Sequence, residues 1–180
     1  MILAIDTSQM TYSIALSDGT FHDWSDTKVS LYDVLVNIDF SEITAITVCI
    51  GPGRFSGIRS GIAFCLGLAK ARSLPIYPLS SFDVYASVIT EPNINIALDA
   101  RKNQAYLQTY NEKKPSGNIT LTSCENLKDI AHLYGNLPPS KVIQVNATHL
   151  LKACLEAIEN GCKPTPPENI KAIYIRPSVS

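Results

Sequence analysis

The chain has 180 residues, of which 46% are hydrophobic and 17% charged, with a formal net charge of -1. That length suits one sizeable domain or two small ones, burying about 70% of the unfolded surface without staples. The balance excludes a global basic field that would draw the chain to nucleic acid or anionic lipid, and no apolar run reaches membrane-span length.

The N-terminus lacks the basic segment of a signal peptide and meets an acid at once, so Ile2 to Asp6 reads as a first, buried strand. Tyr12 to Leu16 follows after a tight polar turn. Asp18-Gly19 is a hairpin signal, and Thr20 to Trp24 alternates, so three antiparallel strands open the chain. Leu31, Val34, Leu35 and Ile38 then fall at the spacing of one helical face. Ser41 to Ile50 leads into a strand. The segment Gly51-Pro52-Gly53-Arg54-Phe55-Ser56-Gly57-Ile58-Arg59-Ser60-Gly61 opens a helix over about residues 57 to 72.

Pro75 to Leu79 predicts a strand, and Ser80-Ser81 caps a helix beginning near Phe82. Ile94 to Asp99, a turn, and Gln104 to Tyr110 repeat the opening order of apolar strand, Asp, turn and strand. After Lys113 to Gly117 the pattern predicts a strand at 118–122, a helix at about 125–134, a strand at 141–145 and a helix at about 147–160. The expected architecture is α/β, made of two related halves, 1–90 and 91–180, with the second half reduced. Five cysteines occur without a CxxC motif. Cys49 and Cys65 sit in apolar runs and read as buried free thiols of a reducing, cytoplasmic setting.

The glycine segment looks like a phosphate loop but fails both fingerprints. No glycine is followed by lysine, as a Walker loop requires, and Gly51, Gly53 and Gly57 are one residue too widely spaced for GxGxxG. The alternative is a strand-to-helix turn with positive φ at glycine and a cap at Ser56. From Gly57 to Leu68 only Arg59 is ionisable, so this helix is apolar nearly all round and expected to be buried on two sides. One side meets the chain's own sheet. The other is covered by the first helix or by a partner. A helical-bundle interface is therefore expected from Leu31, Val34, Leu35 and Ile38 with Gly57, Ile58, Gly61, Ile62, Cys65 and Leu68, the small residues permitting close approach.

Ile2 to Ser8, Gly51 to Gly61, Leu79-Ser80-Ser81, Ala97 to Lys102 and Ile173 to Pro177 together resemble the TsaB (YeaZ) family, in that family's order and over most of the chain. The resemblance implies an actin-like ATPase fold of the sugar kinase and Hsp70 type. It implies a non-catalytic subunit in the making of threonylcarbamoyladenosine at position 37 of tRNAs reading codons that begin with A. The implied partners are the paralogue TsaD, which carries the metal and transfers the group, and the ATPase TsaE. TsaC supplies the threonylcarbamoyl-adenylate, and tRNA is met through the complex. The family pairs through its first two helices, in heterodimers and homodimers. ATP and a metal ion then belong to the partner complex, and no cofactor is expected on this chain alone. His22, His132 and His149 are never four apart, so no metal site is expected.

Asp6-Thr7-Ser8 and Asp99-Ala100-Arg101 stand where an actin-like fold holds phosphates. Thr7 and Ser8 replace the glycine that would let backbone N–H groups approach, and Arg101 or Lys102 is placed to pair with Asp99, so these read as vestigial turns. Thr27 to Tyr32 lacks the histidine of many relatives, and Arg54 and Ser56 also depart from the family's common residues. The competing readings are a small ATPase or kinase acting alone, and a homodimeric binding module unrelated to tRNA.

Overall fold

The computed structural model describes residues 1–25, 31–36 and 38–175. Two five-stranded sheets share one plan. In the first, β1 (Ile2–Asp6), β2 (Tyr12–Leu16) and β3 (Phe21–Trp24) form an antiparallel meander. On its other side β1 pairs parallel with β4 (Ala45–Cys49), which pairs parallel with β5 (Ile76–Leu79). The second sheet repeats this with β6 (Ile94–Asp99), β7 (Gln104–Asn111) and β8 (Lys114–Ser123) as the meander, and β9 (Leu133–Gly135) and β10 (Lys141–Val142) as the parallel strands. The orders β3-β2-β1-β4-β5 and β8-β7-β6-β9-β10 therefore correspond strand for strand. Each leading strand ends in aspartate, Asp6 or Asp99.

Four helices complete the described fold: α1 (Leu31–Leu35), α2 (Phe55–Arg72), α3 (Ser81–Val88) and α4 (Ala147–Glu159). Side-chain alternation along β1 decides which helix covers which face. Leu3 and Ile5 point to a core shared with α2, through Ile58, Ile62, Cys65 and Ala69. Ala4 points to the opposite core, where α3 and α4 lie between the two sheets. That inner core joins Ala15 and Cys49 to Ile94, Ile96 and Leu98 through Phe82, Tyr85, Leu150 and Leu151. The outer face of the second sheet has only a small core, centred on Ala97, Ala105, Leu127, Leu133 and Leu137. The leanness of the second half is physical: among the described residues no long helix covers that face.

β4 is buried along its whole length, and its one polar side chain is satisfied because Thr47 Oγ1 donates to the Tyr77 carbonyl at 2.8 Å. The expected cap of α3 is present: Ser80 Oγ accepts from the Asp83 N–H at 3.1 Å, and Asp83 accepts in return from the Ser80 N–H. Tyr110 of the second half donates to the same Asp83 carboxylate at 2.7 Å. Beyond α4 the chain returns to the first sheet. Thr165 bridges the free edge of β5 at Ile76, Ile170 enters the core of α2, and the Ile173 N–H donates to the Ile50 carbonyl at 2.9 Å.

Four elements differ from the sequence expectation. The first helix is a single turn and a half, Leu31–Leu35, and not a helix to Ile38. β8 begins at Lys114, because the reversal is made at Glu112 and Lys113, whose φ values are 50° and 63°. The expected helix at 125–134 is absent. Only Cys124–Leu127 forms a 3-10 turn, and Leu133–Gly135 is drawn into parallel pairing with β6. Pairing with a waiting strand there overrides a helix-like spacing. The strand expected over 141–145 keeps only Lys141–Val142.

Candidate functional site

A cleft of about 1220 Å³ opens between the two halves, with both aspartate turns beside it. Its lining includes Ser8, Arg54, Asp99, Asn136, Asn146 and Tyr174. Of the four expected turn residues, Ser8 and Asp99 face this space. Asp6 and Thr7 sit behind it, 1% and 2% exposed.

The first turn is closed upon itself. Asp6 Oδ1 accepts from the Ser8 N–H at 2.9 Å and from Ser8 Oγ at 2.6 Å. Thr7 Oγ1 donates to the Gly57 carbonyl at 2.7 Å, and the Ser8 carbonyl accepts from the Arg54 N–H at 2.7 Å. Burial pushes the Asp6 carboxyl above its ordinary value, against the opposing pull of the Ser8 hydrogen bonds. Burial also pushes the Cys49 thiol up to about 12, with the nearby Asp6 charge adding to it. Cys49 and Cys65 are buried and unbridged, as the sequence suggested.

The glycines of the opening segment make this closure geometrically feasible. A Cβ on Gly57 would stand 2.0 Å from the Thr7 carbonyl oxygen, and one on Gly61 would stand 2.3 Å from Thr7 Oγ1. Helix α2 thus lies directly on the β1–β2 turn. Its N-cap is Arg54, with no side-chain cap bond, so the expected cap at Ser56 is not made. The strand-to-helix turn is fixed instead from α3: the Ser81 N–H donates to the Gly51 carbonyl at 2.8 Å, and Ser81 Oγ to the Pro52 carbonyl at 2.7 Å.

This packing corrects the expected docking face. Leu35, Gly57, Ile58, Gly61, Ile62 and Cys65 are buried in the chain's own core. Their small size serves the approach of α2 to the Thr7 turn. Val34, Ile38 and Leu68 are half-buried against the same core. The side chain of Leu31 and the segment Thr27 to Ser30 lie outside the described residues, as do Arg176 and Pro177. The outward face of α2 carries Ser56, Arg59, Ser60, Ala63 and Gly67.

The second turn is more open. Asp99 Oδ1 accepts from the Arg101 N–H at 2.8 Å, Oδ2 lies 3.4 Å from Arg101 Nη1, and the Asp99 N–H donates to Asn136 Oδ1 at 2.8 Å. The expected pairing with Arg101 is present on an exposed surface. His22 and His132 are exposed, and His149 Nδ1 accepts from the Asn146 N–H at 3.1 Å as part of the α4 cap. Among the described residues no group of three or more metal-ligating side chains converges.

Sequence reasoning missed one feature of the cleft mouth. Arg59 Nε donates to Tyr174 Oη at 2.8 Å across 115 residues, and its guanidinium lies 4.0 Å from the Phe55 ring centre. The resemblance at Ile173 to Pro177 was the single signal that this distant segment belongs with the site.

Two predictions test this geometry. A carboxyl held above its ordinary value keeps its proton in the folded chain while the unfolded chain loses its own. Asp6 therefore subtracts stability as pH rises from 3.8 through its folded value, and the loss is complete above it. Asp6→Asn is expected to raise the melting temperature relative to wild type at pH 8, with the difference shrinking towards pH 4. A difference that stays constant with pH would contradict a buried, titrating Asp6. Gly57→Ala is expected to lower stability by about 1–3 kcal/mol through overpacking. Gly67→Ala, with nothing within 4 Å of its Cβ, is expected to raise it by about 0.5–1 kcal/mol. Equal effects in urea denaturation would show that α2 does not rest on the turn.

Comparison with known proteins bears on this site. A family model described as TsaD, tRNA N6-adenosine threonylcarbamoyltransferase, matches residues 34–157. A protein of Haemophilus influenzae named tRNA threonylcarbamoyladenosine biosynthesis protein TsaB is 30% identical over 129 residues, which are 62% of this chain and 55% of that one. The protein of the same name from Escherichia coli is 30% identical over 125 residues, 61% of this chain and 54% of its own. The chain thus spans about half the length of the curated relatives it matches. A crystal structure from Pseudomonas aeruginosa, of an uncharacterized protein with similarity to peptidase YEAZ, superposes with a TM-score of 0.76 at 23% identity. It covers 97% of this chain and 99% of that one. That likeness and the duplicated sheets establish the actin-like α/β fold. The chain belongs to the threonylcarbamoyltransferase family that the model describes, as a relative of TsaB (YeaZ).

Proposed function

We propose that this chain is a non-catalytic subunit in the threonylcarbamoylation of adenosine 37 in tRNAs reading codons that begin with A, acting by pairing with and supporting a TsaD homologue. The observation that carries the reading is the closed first turn. Thr7 and Ser8 spend their polar groups on Asp6 and α2, leaving no glycine-lined cradle for a phosphate. A chain acting alone as an ATPase or kinase would need that cradle open. ATP and the metal ion then belong to the partner complex, with the TsaE ATPase docking on the pair and tRNA reached through it.

Pairing uses the outward face of α2 around Ala63 and Gly67, beyond the turn that carries Arg59. Ala63 and Gly67 are exposed there, with half-buried Phe64 and Leu68 beside them, so another helix can come close without disturbing the chain's own core. Depleting the protein is expected to lower threonylcarbamoyladenosine in bulk tRNA, read by nucleoside mass spectrometry. Ala63→Glu is expected to abolish co-purification with the TsaD homologue while the melting temperature stays within about 2 °C of wild type, as for a surface substitution. Full tRNA modification without the protein would overturn the role. Undiminished co-purification of the variant would overturn the pairing face.

A further inference from the structure

The cleft mouth carries a cluster that neither the core nor the pairing face uses. Phe55 and Tyr174 are 53% and 54% exposed, with ring centres 5.7 Å apart and planes tilted by 51°. The Arg59 guanidinium lies 4.0 Å from the Phe55 centre and 5.6 Å from that of Tyr174. Close by, the Arg54 guanidinium lies 5.7 Å from the ring centre of Tyr12. Neither Arg54 nor Arg59 makes an ion pair among the described residues. Met10 and Val142, also strongly exposed, line the same cleft.

Two guanidinium groups set against aromatic rings, without a carboxylate partner, keep N–H groups free for an anion. Two half-exposed rings beside them offer faces to a flat, apolar partner. Of the carboxylates lining the cleft, Asp99 is already paired with Arg101, and Asp23 stands on β3. Arginine combined with open aromatic faces is the chemistry that takes unpaired nucleotides, since every base has a π-face and every linkage a phosphate. An acidic protein segment would use the arginines but leave the rings unused.

We propose that this mouth binds an unpaired stretch of RNA, with phosphates on Arg54 and Arg59 and bases stacked on Phe55 and Tyr174. The choice of RNA rests on the tRNA-modifying role proposed above. The net charge of -1 is consistent with a small, local contact of this kind.

The test is fluorescence anisotropy of a fluorescein-labelled oligouridylate 12-mer with the full chain, from about 50 to 200 mM salt. Phe55→Ala and Tyr174→Ala are each expected to weaken binding by roughly 10-fold, as loss of one base–aromatic stack does. Tyr174→Phe keeps the ring and is expected to bind within about 2-fold of wild type. Arg59→Gln is expected to lower the slope of log affinity against log salt by about 0.7. Circular dichroism melts of each variant separate loss of contact from loss of fold. Absence of wild-type binding at low salt, wild-type affinity in both alanine variants, or equal competition by hexaglutamate would overturn the platform. Bulk-tRNA modification reports on the proposed role separately: modification restored by wild type without RNA binding would overturn the platform and leave the role standing.

Discussion

The contact of helix α2 with the β1–β2 turn is the constraint on which the rest of the structure depends. The Thr7 carbonyl and hydroxyl occupy the space that side chains at positions 57 and 61 would fill. Once α2 rests there, its apolar stripe falls on Leu3, Ile5, Ile46 and Val48. The polar atoms of the turn are then consumed: Thr7 by Gly57, Ser8 by Arg54 and Asp6. The same contact that completes the first core also fixes the polar atoms of the first aspartate turn.

The other aspartate turn is more open. Asp99 still faces the cleft, and its partner Arg101 lies on an exposed surface, where an ion pair contributes little. The two halves repeat one strand order, yet they differ in what covers them. The first sheet has α2 on its outer face, whereas the second has only a thin apolar layer around Leu127 and Leu137. The cleft between the halves has a mouth rich in aromatic and guanidinium groups.

Much of this was legible in the sequence. The meander of Ile2 to Trp24, the cap at Ser80 and the repeated strand–Asp turn all rest on local chemistry, which the fold keeps. Orientation was less legible. Gly57, Gly61 and Cys65 are small, and small residues serve equally well against a partner helix or against the chain's own turn. An apolar period says that a stripe is buried, without saying by what. The helix expected at 125–134 yielded to β6, a strand some 30 positions earlier whose free edge no local window contains. The Arg59–Tyr174 bond joins residues 115 positions apart, so nothing in either local sequence announces it.

The central claim is that the closed turn leaves this chain unable to hold a nucleotide by itself. Isothermal titration calorimetry of the purified chain with magnesium and ATP tests it most directly. The account predicts no saturable heat for wild type and none for Asp99→Asn. Saturable micromolar binding by wild type that Asp99→Asn removes would contradict it.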